Sequence, residues 1–142
     1  MSEEKLVILV VEDEEDTRQI LKSCLSRKYP EYEVLSANNG VEALQIFQER
    51  SPGEIVLVIT DYCMPLMNGA QLCRELKKNR AGDGLVVLTS ASSGSGDAPG
   101  GLTDEEEKMF DDVLYKPLNF NALFDAVERM LRRRSGSMPA HC

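Results

Sequence analysis

Long apolar runs are missing from this chain: none approaches the roughly 18 consecutive apolar residues that a membrane-spanning helix needs. Basic residues are in deficit, 16 Lys and Arg against 24 Asp and Glu, and the resulting net charge of −8 argues against nucleic-acid binding by the domain itself. The four cysteines, Cys24, Cys63, Cys73 and Cys142, show no Cys-x-x-Cys spacing. Neither a zinc site nor a redox dithiol is therefore supported, and free thiols in a reducing cytoplasm are expected. Histidine occurs once, as His141 in a polar C-terminal stretch, where solvation is the ordinary outcome. The Ser/Gly-rich segment 90–101 lacks the Gly-Lys-Ser/Thr of a phosphate-cradling loop and reads as a linker-like loop. The first apolar run begins at residue 6, leaving no room before it for a signal peptide.

What is present is the composition of one globular domain: 142 residues, 42% hydrophobic and 28% charged. It is expected over residues 1–134, with a flexible tail at 135–142. The most informative stretch is 54–69, where the β-branched run 55–59 ends abruptly at Thr60-Asp61 and is followed by Pro65 and Asn68-Gly69. Such a run suits a strand buried on both faces. A central parallel strand ends at the rim of its sheet, which displays Asp61 at the mouth of a site.

The other elements alternate. Residues 6–11 form a first apolar strand, followed by Glu12-Asp13-Glu14-Glu15-Asp16. Acidic residues in a first helical turn complement the helix dipole, which accounts for Glu14 to Asp16 but not for Glu12 and Asp13. A helix to about Lys28 is expected to bury Ile20, Leu21, Cys24 and Leu25, and an edge strand follows at 32–36. Helices are expected over 40–50, 69–79 and 103–111, the last opened by a Thr103–Glu106 capping box. Strands are expected over 85–88, finishing at Thr89-Ser90, and over 112–115, running into Lys116-Pro117. Asn119 caps a final amphipathic helix bearing Phe120, Leu123, Phe124, Val127, Met130 and Leu131. Five strands alternating with five helices imply a doubly wound parallel α/β sheet with right-handed crossovers.

In that architecture the strand ends share one rim, and Glu12, Asp13, Asp61, Thr89 and Lys116 converge there. Carboxylates about 5 Å apart repel by about 3 kcal/mol per pair at an effective dielectric near 20, so positive charge is required. Lys116 supplies one charge, and a small hard cation such as Mg²⁺ suits the remaining oxygens. A metal-charged carboxylate beside a lysine and a hydroxyl is a pocket for a phosphoryl group, with Asp61 as the nucleophile.

The set Glu12-Asp13, Asp61 with Met64-Pro65 and Asn68-Gly69, Thr89 and Lys116-Pro117 resembles the receiver domain of two-component response regulators, over about residues 6–132. The resemblance implies a flavodoxin-like five-stranded sheet of order 2-1-3-4-5. It implies that Asp61 takes a phosphoryl group from a phosphohistidine of a sensor histidine kinase or phosphotransfer protein. Glu12, Asp13, Asp61 and the backbone carbonyl of Cys63 would hold Mg²⁺, Thr89 and Lys116 would complete the site, and the Lys116–Pro117 peptide would be cis. A cytoplasmic phosphoprotein signalling to a downstream output domain or protein is implied, rather than a turnover enzyme. The family often carries an aromatic residue three before the lysine; here Val113 stands there, with Tyr115 expected on the opposite face of the strand. The interval from Thr89 to Lys116 is longer than usual. Cys63 and Ala91, which would flank the hydrolytic water, orient it poorly.

Other readings make different demands. A haloacid-dehalogenase-like aspartyl phosphatase requires a second Asp two residues after the first, where this chain has Cys63. A flavin carrier requires a hydroxyl-rich loop after the first strand, where this chain has five carboxylates. A receiver-like module that is never phosphorylated would not need the full residue set.

Overall fold

The computed structural model describes residues 5–51, 53–79, 86–92, 103–116 and 119–136, with backbone alone for 79, 86–92, 116 and 133–136. Its elements are β1 (Val7–Val11), α1 (Glu15–Lys28), β2 (Glu33–Ala37), α2 (Gly40–Glu49), β3 (Ile55–Asp61), α3 (Gly69–Asn79), β4 (Val86–Ser92), α4 (Asp104–Glu107), β5 (Asp112–Lys116) and α5 (Phe120–Gly136). The strands pair in parallel in the order β2-β1-β3-β4-β5. This is the doubly wound parallel sheet expected from the alternation of elements, in the flavodoxin-like order that the resemblance implies.

Both faces of the sheet are covered. Val7, Leu9 and Val11 of β1 join Ala43, Phe47, Leu72, Cys73 and Leu76 of α2 and α3. Ile8 and Val10 turn the other way, against Leu21 and Leu25 of α1 and Leu123, Val127 and Met130 of α5. Every residue of β1 and β3 is buried, and each large apolar side chain so placed contributes about 1.5–3 kcal/mol. A register shift beside Val7 and Ile8 sends the consecutive residues Val56 and Leu57 to the same face, toward α1 and α5. Burial deep in the Cys73 pocket pushes that thiol up to about 11, so it packs as a small apolar group.

Some expectations shift. Ile20 is 51% exposed; the buried seam of α1 follows Leu21 and Leu25, a single helical turn apart. Strand β4 does not finish at Thr89-Ser90 but pairs with β5 as far as Ser92. Helix α4 stops at Glu107, and isolated turns carry the chain to Phe110 through Met109 N–H to Glu106 O and Phe110 N–H to Glu107 O bonds. The expected turn at 81–84, the loop at 92–101 beyond Ser92, Pro117 and the end of the tail lie outside the described residues.

Tyr115 does not lie on the face opposite Val113. Side chains alternate with a period of two along a strand, so positions 113 and 115 share a face and Leu114 takes the other. Val113 indeed packs with the α2–α3 side of the core and Leu114 with the α1–α5 side. Tyr115, 43% exposed, stands near α4, where burial and the neighbouring Glu107 raise its phenol above the ordinary range.

Candidate functional site

The site grows from the carboxyl ends of β1 and β3. Val11 pairs with Thr60, so Glu12, the next residue, comes level with Asp61. Glu12 leaves the sheet while still tied to it, its N–H donating to Ala37 O at 3.0 Å. Its side chain turns back, and Oε2 accepts from Glu14 N–H at 3.1 Å. Arg18, one turn into α1, donates from Nη1 to the Glu12 carbonyl at 3.0 Å. Glu12 and Asp61 are buried, at 6% and 5% exposure, whereas Asp13 is exposed. One carboxylate oxygen from each of Glu12, Asp13 and Asp61 lies within 4.8 Å of the other two.

The loop after Asp61 is tightly built. The Thr60 hydroxyl donates to Asp61 O at 2.9 Å, and Gly69 N–H closes the loop on Tyr62 O at 2.7 Å. Asn68 and Gln71 exchange side-chain-to-backbone bonds of 2.8 and 2.9 Å, a reciprocal cap that starts α3. Just before Asn68, Met67 N–H bonds to Pro65 O at 2.8 Å around Leu66, whose φ is +73°. That is the geometry of a γ-turn of the rarer, strained hand. Met67 then packs on the first residue of α2; a Cβ on Gly40 would come within 2.9 Å of its side chain, so any larger residue there would force Met67 to shift.

The remaining expected residues occupy the same edge of the parallel sheet. Thr89 lies beside Thr60, one row before Asp61, and Ser90 stands level with Asp61. Lys116, the last residue of β5, pairs with Ser92. Cys63, whose carbonyl was expected to face the cation, is exposed two residues after Asp61.

Residue chemistry alone did not single out Tyr62. It is buried, and its hydroxyl donates to Glu106 Oε1 on α4 at 2.6 Å. Burial and this carboxylate push the phenol up to about 12. Burial favours protonation of Glu106, but the Tyr62 hydroxyl and the Thr103 amide and hydroxyl outweigh it and hold the carboxyl below its usual range. The aromatic identity of the residue directly after Asp61 was the available signal; its partner, 44 positions away, was not readable.

A carboxylate trio of hard oxygen donors at the ends of two neighbouring central strands has the chemistry to hold a divalent cation and, through it, an oxyanion. Comparison with known proteins bears on which use is made of it. The family model described as the response regulator receiver domain matches residues 8–128. A probable transcriptional regulator, ycf27, of Porphyridium aerugineum is 37% identical over 133 residues, covering 94% of this chain and 50% of that protein. The response regulator MprA of Mycobacterium sp. (strain KMS) is 34% identical over 128 residues, covering 90% and 51% respectively. This chain therefore spans about half the length of the curated relatives it matches. Among solved structures, a receiver domain protein of Clostridium thermocellum superposes with a TM-score of 0.76 at 29% identity, over 92% of this chain and 97% of that one. The response regulator TrrA of Thermotoga maritima, solved in complex with Mg²⁺ and BeF, superposes with a TM-score of 0.70 at 29% identity, over 88% and 98%. With its sheet order, its strand-end acids and a family match across most of its length, this chain belongs to the response regulator receiver domains of two-component signalling.

Proposed function

We propose that this domain is a phosphorylation switch in which Asp61 accepts a phosphoryl group from a phosphohistidine. The convergence of Glu12, Asp13 and Asp61 within 4.8 Å carries the reading. At that spacing each pair of charges repels by about 3 kcal/mol at an effective dielectric near 20, so the cluster is poised to be neutralised. The donors are all carboxylate oxygens, which fits Mg²⁺ and not a soft metal. Glu12, Asp13, Asp61 and the Cys63 carbonyl would hold it, and when bound it supplies positive charge against which the phosphoryl oxygens are stabilised.

The chain's own groups do the rest. An Asp61 carboxylate oxygen attacks phosphorus in line with the leaving imidazole; the new O–P bond forms as the P–N bond breaks, and its electron pair returns to the histidine nitrogen. The Thr89 hydroxyl donates to a phosphoryl oxygen and the Lys116 ammonium balances the transferred charge. The domain spans residues 1–134, meets a cytoplasmic sensor kinase or phosphotransfer protein, and passes its state to an output domain or protein. The net charge of −8 supports leaving any nucleic-acid contact to that partner.

The test is intact-protein mass after exposure to acetyl phosphate and magnesium. One phosphate is expected, stable to acid and labile to base, absent in Asp61→Asn and strongly reduced in Asp13→Ala with the fold retained. Undiminished phosphorylation of Asp61→Asn would refute the acceptor assignment, and an unchanged rate in Asp13→Ala would refute the metal assignment.

A further inference from the structure

Tyr62 is covalently next to Asp61, 7% exposed, and packed in the same cluster as Phe110. It is fixed at both ends: its carbonyl accepts from Gly69 N–H at 2.7 Å, and its hydroxyl donates to Glu106 Oε1 at 2.6 Å. That same oxygen accepts from Thr103 N–H at 3.2 Å, while Glu106 N–H donates to Thr103 Oγ1 at 3.1 Å. The carboxylate that completes the capping box of α4 is thus also the one the phenol holds.

Helix α4 has four residues, all acidic and none buried. A single turn has no appreciable stability of its own, so its attachments decide where it sits. The segment after it is anchored to α3: Lys77 Nζ donates to Met109 O at 3.3 Å and pairs with Asp111 at 2.9 Å, and Phe110 is buried. The helix itself is tied back to the loop of Asp61 through Tyr62.

We infer that the Tyr62–Glu106 hydrogen bond is the positioning contact through which the state of Asp61 reaches α4, in a chain whose position 113 carries valine. The inference rests on Asp61 being the phosphoacceptor. A phosphoryl group adds a charge of about −1.5 to −2 one residue from Tyr62, and re-seating residues 61–62 draws the hydroxyl away from Glu106, whose bond to it weakens steeply as the O–H···O distance grows and the angle falls toward about 120°. Released from the phenol, the turn at Asp104–Glu107 keeps its capping box but loses its tie to the sheet.

The experiment is hydrogen exchange of the amides of residues 104–110, before and after treatment with acetyl phosphate and magnesium, with phosphorylation read by intact mass in the same samples. In the wild type, phosphorylation is expected to speed exchange there by about tenfold, the loss of one charge-assisted hydrogen bond. Tyr62→Phe, which keeps the ring and removes the hydroxyl, is expected to exchange at the fast rate already, to take the same single phosphate, and to show no further acceleration. Glu106→Gln, which keeps an acceptor for both the phenol and the Thr103 amide but removes its charge, is expected to start between the wild type and Tyr62→Phe and still to accelerate on phosphorylation. Glu106→Ala, which loses the capping-box bond as well, is expected to exchange at least as fast as Tyr62→Phe and to show no further acceleration. A Tyr62→Phe protein that takes the phosphate and accelerates as the wild type does would overturn the coupling while leaving the acceptor role of Asp61 intact. Absence of the mass shift in the wild type would overturn the acceptor role, and the coupling with it.

Discussion

Leu66 shows how one residue carries a local cost near a site. Its φ of +73° lies in the left-handed region, and its side chain is 79% exposed. Little burial offsets a steric penalty of about 1–2 kcal/mol for an L-residue there. Leu66→Gly relieves that penalty against a smaller entropic cost in the unfolded chain. A rise in melting temperature of about 2 °C is expected; a fall in a thermal melt would mean that Leu66 makes a stabilising contact. Cys63 and Ala91 bear on how long the proposed phosphoryl group persists. A thiol is a weak hydrogen-bond donor and a methyl has none, so slow self-dephosphorylation is expected. Carboxamide and carboxylate groups align an attacking water, and Cys63→Asn with Ala91→Glu is expected to speed the loss by about tenfold, equivalent to 1.4 kcal/mol of barrier. Decay of phosphorylated protein after removal of the donor measures it, and a double variant no faster than wild type would remove these positions from control of the water.

Between elements, an ion-pair network joins the end of α2 to the starts of β2 and β3. Arg50 lies 2.7 Å from Glu54 and 3.2 Å from Glu33, and Ser51 N–H donates to Glu54 Oε1 at 3.1 Å. The Arg50 hydrogen bond holds the Glu54 carboxyl below its usual range against the opposing effect of burial. A carboxyl whose pKa is lowered by folding adds stability above its unfolded pKa and loses it as pH falls through the folded value. The contribution is therefore present at neutral pH, starts to decline near the ordinary Glu pKa of about 4.3 and is lost as pH falls through the lowered folded value. Arg50→Ala is expected to cost up to about 1 kcal/mol at pH 7 and to lose less stability than wild type on acidification. Denaturant midpoints at pH 7 and pH 3.5 check this; an equal loss in both proteins would show that Glu54 is not linked to folding through Arg50.

For the whole molecule, the rim of the sheet trades stability for function. Three carboxylates held within 4.8 Å repel in the metal-free protein, so Asp61→Ala is expected to raise the melting temperature by about 3 °C. On the proposed reading magnesium would bind the folded state alone and stabilise it by mass action, and the wild type is expected to gain more from it than the variant. Differential scanning calorimetry with and without magnesium separates the two effects. Equal magnesium shifts in both proteins would place Asp61 outside the cation's reach. Among the described residues no helix is long and apolar enough to cross a membrane, which agrees with the shortness of the apolar runs.

The sequence by itself determined the elements and their order, because local physics specifies them. Runs such as residues 55–59 are apolar on both faces and fit only a covered strand; Asn119 and Thr103 announce helices by capping chemistry that acts over three residues. The acids at strand ends were legible for the same reason, since parallel strands must deliver their carboxyl ends to one edge. Tertiary structure decided what depends on partners distant in the chain. The length of β4 follows from pairing with β5, which holds Ser90, Ala91 and Ser92 in the ladder despite their loop-like composition. The exposure of Ile20 follows from where the sheet meets α1, and the left-handed turn at Leu66 from the closure of the loop by Gly69. The bond from Tyr62 to Glu106 spans 44 positions; a phenol and a carboxylate carry no periodicity that pairs them, and only the tertiary fold, which seats α4 beside the residue that follows β3, brings them within reach.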